Sequence, residues 1–220
     1  MAPKHDGITS ASVMRTTLLS FLLLAGCATS HQHHAFDDAN AWARSFDDPA
    51  RDEWQKPDEV IAALNLTKTA RVADIGSATG YFSTRLAKVV TGGRVYGLDV
   101  ESSMVEYLNA RAEKEELTNL TSHLAAFDDP KIPEPVDVII IVNTYHHLEA
   151  RKVYFAKLAD KLKPDGRIVI IDFKRESKMG PPVDMKVGTD VVVDELGAAG
   201  YKLATRHDLL PEQFFLVFRR

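Results

Sequence analysis

The chain has 220 residues, 45% apolar and 26% charged, with a formal charge of −4, which suits one globular domain with a sizeable core and some extra length. The first 27 residues contribute +1 through Lys4, Arg15 and Asp6, so the remainder carries −5; this argues against nucleic acid as a partner, because phosphate binding needs a basic face. The single cysteine, Cys27, excludes an intramolecular disulfide and a zinc site built on paired thiolates.

Arg15 precedes the apolar run Leu18 to Ala25, which has the order of a secretory signal and falls far short of the roughly 20 residues that span a bilayer. A short buried apolar helix is the alternative. The run closes on Leu24-Ala25-Gly26-Cys27, which resembles the lipobox of bacterial lipoproteins, where the cysteine is lipidated before cleavage. That resemblance implies a signal segment at 1–27 and a membrane anchor through lipid on Cys27, on the periplasmic side of the envelope. A cytoplasmic location is the other possibility, and Met14 is an alternative start because the stretch before Arg15 is long and polar. Residues 28–45 read as a polar tether. Its His31, His33 and His34, near Asp37 and Asp38, hint at metal binding by composition alone; a solvated linker is the stronger reading, and no metal is expected.

From residue 46 to the end the pattern is that of one domain. Short apolar runs alternate with helical segments, the mark of repeated βαβ units and a mostly parallel sheet. Strands are predicted at Arg71–Ile75, Arg94–Val100, Thr121–Ala126, Val136–Val142, Arg167–Phe173, Tyr201–His207 and Gln213–Phe218. The fourth and fifth are apolar on both faces, as central strands covered by helices are. Helices are predicted at Tyr81–Val90, Ser103–Glu116 and Ala150–Leu162, the last stopped by Lys163-Pro164-Asp165-Gly166. Asp190–Ala199 combines the strand-favouring Val191-Val192-Val193 with a Gly200 stop, and is read as a helix. Pro57-Asp58-Glu59 opens a further helix, with proline first and acids in its first turn.

The first strand ends in Asp74-Ile75-Gly76-Ser77-Ala78-Thr79-Gly80, a turn whose small residues let a ligand approach the backbone. Dinucleotide folds use a similar turn with a pyrophosphate on the helix N-terminus, but Asp74 repels a pyrophosphate and suits a cationic amino acid or sulfonium. The spacing also departs from G-x-G-x-x-G. The second strand ends in Asp99, 25 residues after Asp74, placed to accept hydrogen bonds from two ribose hydroxyls.

With these residues the chain from about Trp54 to the C-terminus resembles class I S-adenosylmethionine (SAM) methyltransferases. In their first motif an acid precedes Gly-x-Gly-x-Gly, matched by Asp74, Gly76 and Gly80 with Ala78 in the middle glycine's place. Leu162-Lys163-Pro164-Asp165-Gly166 resembles the family's turn before the fifth strand. The resemblance implies a doubly wound, Rossmann-like α/β fold: seven mostly parallel strands, the last antiparallel, with helices on both faces. It also implies SAM as cofactor, at the carboxyl ends of strands one to four. Asp74, Gly76, Ser77, Ala78, Gly80 and Asn143 would border SAM, Asp99 would hold its ribose, and Asp128, or Asp129 beside it, its adenine. Tyr81 and Phe82 either wall that pocket or pack in the core.

After the fourth strand stands Asn143-Thr144-Tyr145-His146-His147-Leu148, where the family's methyl acceptor meets the sulfonium. It lacks the Asn-Pro-Pro-Tyr motif used on amide or base nitrogens and resembles the small-molecule branch, so the acceptor partner implied is a small molecule. Tyr145, His146 and His147 are candidate general bases, His146 favoured, with helix capping as the alternative role. Arg51 to Pro57 is placed to fold over the pocket, with surface packing as the alternative for Trp54, and the segment from Met179 to Met185 is either a substrate lid or disordered.

The function that follows is methyl transfer to a small molecule. A SAM- or nucleoside-binding lipoprotein without turnover is the alternative, because a lipoprotein signal sends the domain where no SAM supply is expected. An NAD(P)-dependent oxidoreductase is disfavoured by Asp74 and by the absence of a Tyr-x-x-x-Lys pair. If Leu24 to Cys27 is a lipobox, Cys27→Ser abolishes fatty-acid labelling and leaves an unprocessed precursor. An unlabelled wild-type chain with Met1 intact would contradict the signal.

Overall fold

A computed structural model of the chain describes residues 38–220; the signal segment, Cys27 and the His31, His33 and His34 tract lie outside the described residues. The sheet is built from β1 (Arg71–Ile75), β2 (Arg94–Asp99), β3 (Leu120–Leu124), β4 (Val136–Val142), β5 (Leu162–Phe173), β6 (Lys202–His207) and β7 (Gln213–Arg219), in the spatial order β3-β2-β1-β4-β5-β7-β6. The first five run parallel, and β7 lies antiparallel between β5 and β6. Chain order reverses between β1 and β4, and at such a switch point the connections diverge to opposite faces and leave a crevice.

Strand period two explains why both faces are covered. Val138, Ile140 and Val142 of β4 enter one core with α3 (Pro57–Ala63), α4 (Ser83–Val89) and α5 (Ser102–Lys114). Their neighbours Ile139 and Ile141 enter the other, with α6 (Arg151–Lys157) and α7 (Thr189–Ala198). A branched side chain fully buried this way contributes about 1.5–3 kcal/mol. The apolar runs are therefore strands because two layers need them, and burial of Val192 and Leu196 carries Val191-Val192-Val193 as a helix against its propensity.

Three differences from the sequence reading have physical causes. The Lys163–Gly166 segment, predicted as a turn, lies within β5, where the register on β4 shifts between Val136 and Val138 and Lys163 Nζ bonds Asp137 at 2.7 Å. The helix predicted to reach Leu162 stops at Lys157 and tightens into a 3₁₀ turn at Leu158–Lys161. Two short helices were not predicted, α1 (Ala39–Phe46) and α2 (Arg51–Gln55). The first falls in the stretch read as tether, and Asp38 caps it by accepting the Ala41 N–H at 3.1 Å.

One polar cluster ties the second layer together. The Tyr145 hydroxyl donates to Glu195 at 2.6 Å, and Arg151 Nε donates to the same carboxylate at 2.6 Å, joining the turn after β4 to α6 and α7. Glu195→Ala strands a phenol and a guanidinium, so it should cost about 2 kcal/mol and lower the melting temperature by roughly 4–8 °C, as a thermal denaturation curve will show.

Candidate active site

The turn after β1 is held by the neighbouring strand: the Gly76 and Ser77 N–H groups both donate to the Leu98 carbonyl, at 2.7 and 3.3 Å. Gly76 has φ +72°, and a Cβ there would sit 2.2 Å from Thr144 Oγ1; at Gly80, φ +88°, it would sit 2.2 Å from Leu108 Cδ1. Both positions therefore require glycine. Ala78 is also left-handed, at φ +45°, a conformation that costs an alanine about 1–2 kcal/mol. Its N–H donates to Asp99 at 2.8 Å, so Asp99 holds the turn as well as bordering the space beneath it.

That space is a cavity of about 690 Å³ at the carboxyl ends of β1, β2 and β4, within the size range of small-molecule sites. Asp74, Gly76, Ser77, Ala78, Tyr81, Phe82, Asp99 and Asn143 all line it. Asp128 does not. Its carboxylate is 81% exposed and pairs with Lys157 at 2.9 Å, which corrects its assignment to the adenine. The Ala126–Asp129 bridge turns the chain here, and the neighbour that borders the cavity is Phe127. Asp129 does not border it either.

Burial dominates the electrostatics. It pushes the Asp74 carboxyl up to about 6, against a 2.6 Å hydrogen bond from Ser83 that favours the ion. It also raises Asp99, countered by the N–H groups of Glu101 and Ala78. The two carboxylates mark places where a cation or a hydroxyl donor would be welcome.

The N-terminal helices cover one side. Trp42 and Phe46 of α1, and Arg51 and Trp54 of α2, line the cavity, and Trp54 packs on Phe173 with ring centres 5.6 Å apart. A closed ring of three amides, Gln55 and Gln213 buried and Asn143 half-buried, fixes α2 to the sheet. Gln55 donates to Gln213 at 2.5 Å, Gln213 to Asn143, and Asn143 back to Gln55 at 3.3 Å. The Asn143 amide is thus spent within the protein. Across the cavity the loop after β5 contributes Gly180, Pro181, Pro182 and Met185.

After β4 the structure separates two neighbours. The Tyr145 side chain is buried in the second layer against Phe155, engaged with Glu195, and does not line the cavity, which corrects its candidacy as a base. His146 does line it. Its Nδ1 lies 3.0 and 2.9 Å from the two Asp172 oxygens, its backbone N–H donates to Asp172 at 3.1 Å, and both side chains are buried. His147 also borders the cavity, its ring 4.1 Å from that of His146. Sequence reasoning missed Asp172, Gln55 and Gln213 as site residues. The signal for Asp172 was an acid ending an otherwise apolar strand.

A family model described as a methyltransferase domain matches residues 66–194. The chain belongs to that methyltransferase family. Among solved structures it is similar to a SAM-dependent methyltransferase from Aquifex aeolicus, at 28% identity and TM-score 0.75, covering 82% of this chain and 97% of that one. It is 27% identical over 119 residues to the demethylmenaquinone methyltransferase of Tropheryma whipplei strain Twist, covering 54% of this chain and 48% of that protein. It is 24% identical over 119 residues to the mitochondrial ubiquinone biosynthesis O-methyltransferase of Schizosaccharomyces pombe, covering 53% and 43%. The chain thus spans about half the length of these curated relatives.

SAM is the family's cofactor, and the residues of this methyltransferase domain fit it. The glycine turn admits a backbone-hugging ligand, Asp74 and Asp99 stand along one wall, and Ser77 keeps a buried hydroxyl without a partner. They would hold SAM from below.

The raised Asp74 carboxyl has a consequence for stability. The unfolded group ionises near 3.8 and the folded one near 6, so the folded state holds the extra proton in that window. Stability is then greatest below it and falls as pH rises through it, by on the order of 3 kcal/mol. Asp74→Asn should flatten this segment in urea denaturation and be more stable than wild type at pH 7, while losing affinity for SAM.

Proposed function

We propose that the protein transfers a methyl group from SAM to a hydroxyl on a small apolar molecule, with His146 as general base and Asp172 as the residue that orients it. The buried His146–Asp172 pair beside the cavity carries this reading. When bound, SAM supplies a methyl on a positively charged sulfonium, already a good leaving group, so positioning and water exclusion do most of what remains. Only an acceptor that must lose a proton needs a base.

With Nδ1–H donated to Asp172, Nε2 is the ring's acceptor nitrogen. The acceptor hydroxyl gives its proton to Nε2 as its oxygen takes the methyl, and the Asp172 carboxylate stabilises the imidazolium that results. Trp54, Phe173, Pro181, Pro182 and Met185 supply an apolar wall that keeps water out. An oxygen acceptor is supported by the name of one curated relative, an O-methyltransferase of ubiquinone biosynthesis.

The order Leu18 to Ala25 and then Cys27 supports a lipid anchor, and with it an envelope location. That same address favours a second reading, a SAM- or nucleoside-binding protein without turnover. Methyl-labelled SAM incubated with a panel of phenols and hydroquinones separates the two, since the second yields binding and no labelled product. On the acceptor so found, His146→Ala should lower kcat about 10²-fold and Asp172→Asn about tenfold or more, with S-adenosylhomocysteine affinity within about threefold of wild type in both. Unchanged turnover in His146→Ala would remove the base assignment.

A further inference from the structure

Tyr81 contacts two guanidinium groups, with the Arg51 Cζ 3.8 Å and the Arg85 Cζ 4.1 Å from its ring centre. The two arginines differ in what neutralises them. Arg85 pairs with the Asp52 carboxylate at 3.1 Å. Arg51 instead donates to neutral oxygens: the Phe46 carbonyl at 2.7 Å and Gln55 Oε1 at 3.3 Å from Nε and 3.2 Å from Nη2. No carboxylate among the described residues forms an ion pair with it. The acids around it are engaged elsewhere: Asp52 with Arg85 and the Tyr81 hydroxyl, and Asp47 with Arg111 at 3.0 Å and with Thr79 at 3.2 Å. Arg51 is also the one arginine or lysine lining the cavity among the described residues. A half-buried cation with no counter-ion, beside a ligand cavity, is arranged for an anion that arrives with the ligand.

Its surroundings say which anion. Asp74 lines the same cavity and is close enough to act electrostatically on Arg51. A negative and a positive group side by side complement a zwitterion, and a guanidinium fork matches a carboxylate. We propose that Arg51 receives the α-carboxylate of the amino-acid end of SAM while Asp74 faces its ammonium, so that the N-terminal helix α2 reads the cofactor's zwitterion. This rests on the SAM reading above. It also gives the amide ring a purpose, because Gln55 both accepts from Arg51 and anchors α2 to β7, and so sets where the guanidinium stands.

The test is calorimetric titration of the full-length chain with two probes, S-adenosylhomocysteine, which carries the zwitterion, and 5′-methylthioadenosine, which lacks it. Arg51→Met should weaken S-adenosylhomocysteine about 10- to 100-fold and leave 5′-methylthioadenosine within about threefold, with Arg51→Lys in between. Equal losses for both probes would make Arg51 a support of the cap alone and overturn the proposal. Unchanged S-adenosylhomocysteine affinity would overturn it too, a raised acceptor KM then assigning the cation to an anionic acceptor. A wild-type chain that binds neither probe would instead overturn the SAM reading on which this one stands.

Discussion

Three interlocked amides, two of them buried, fix how the second helix sits on the sheet. Gln55, Asn143 and Gln213 come from α2, the end of β4 and the start of β7, and each donates to the next. Inside a protein such a ring is worth most when every member is satisfied and costs most when one is missing. Its position at the carboxyl end of the central strands means that α2 docks on the sheet through directional polar groups as well as through Trp54 on Phe173. The direction of docking is therefore fixed, and with it the placement of Arg51 and Trp54 over the cavity.

The rest of the cavity is assembled from segments far apart in the chain, which bears on what could be read in advance. The seven strands and the glycine turn were legible because each is a local pattern: apolar runs bounded by turns, and an acid followed by small residues. Asp74 and Asp99 stand at strand ends, and strand ends are legible. Asp128 was misplaced because its orientation depends on a bridge between Ala126 and Asp129 that no periodicity reports. Tyr145 and His146 are adjacent, yet a 3₁₀ turn sends one into the second core and leaves the other on the cavity. The amide ring joins residues 158 apart, and only the folded topology brings them together.

The division of labour along the cavity follows from the same topology. The turn after β1 and the end of β2 form one wall, where the proposed function puts the cofactor, and the ends of β4 and β5 with the loop carrying Pro181, Pro182 and Met185 form the other, where it puts the acceptor. The two walls meet where β1 pairs with β4 and Gly76 packs on Thr144, so substitutions at that seam should couple, while those at the outer ends of the cavity should add.

The half-titrated state of Asp74 near pH 6 makes the cavity a proton exchanger as well as a container. A cationic group settling beside the carboxylate favours its ionised form, so around that pH docking expels part of a proton into the medium, and the buffer that takes it up contributes its own heat of ionisation. The enthalpy recorded for one and the same ligand then changes from phosphate to an amine buffer while the number of bonds made does not, and the difference between buffers counts the protons released.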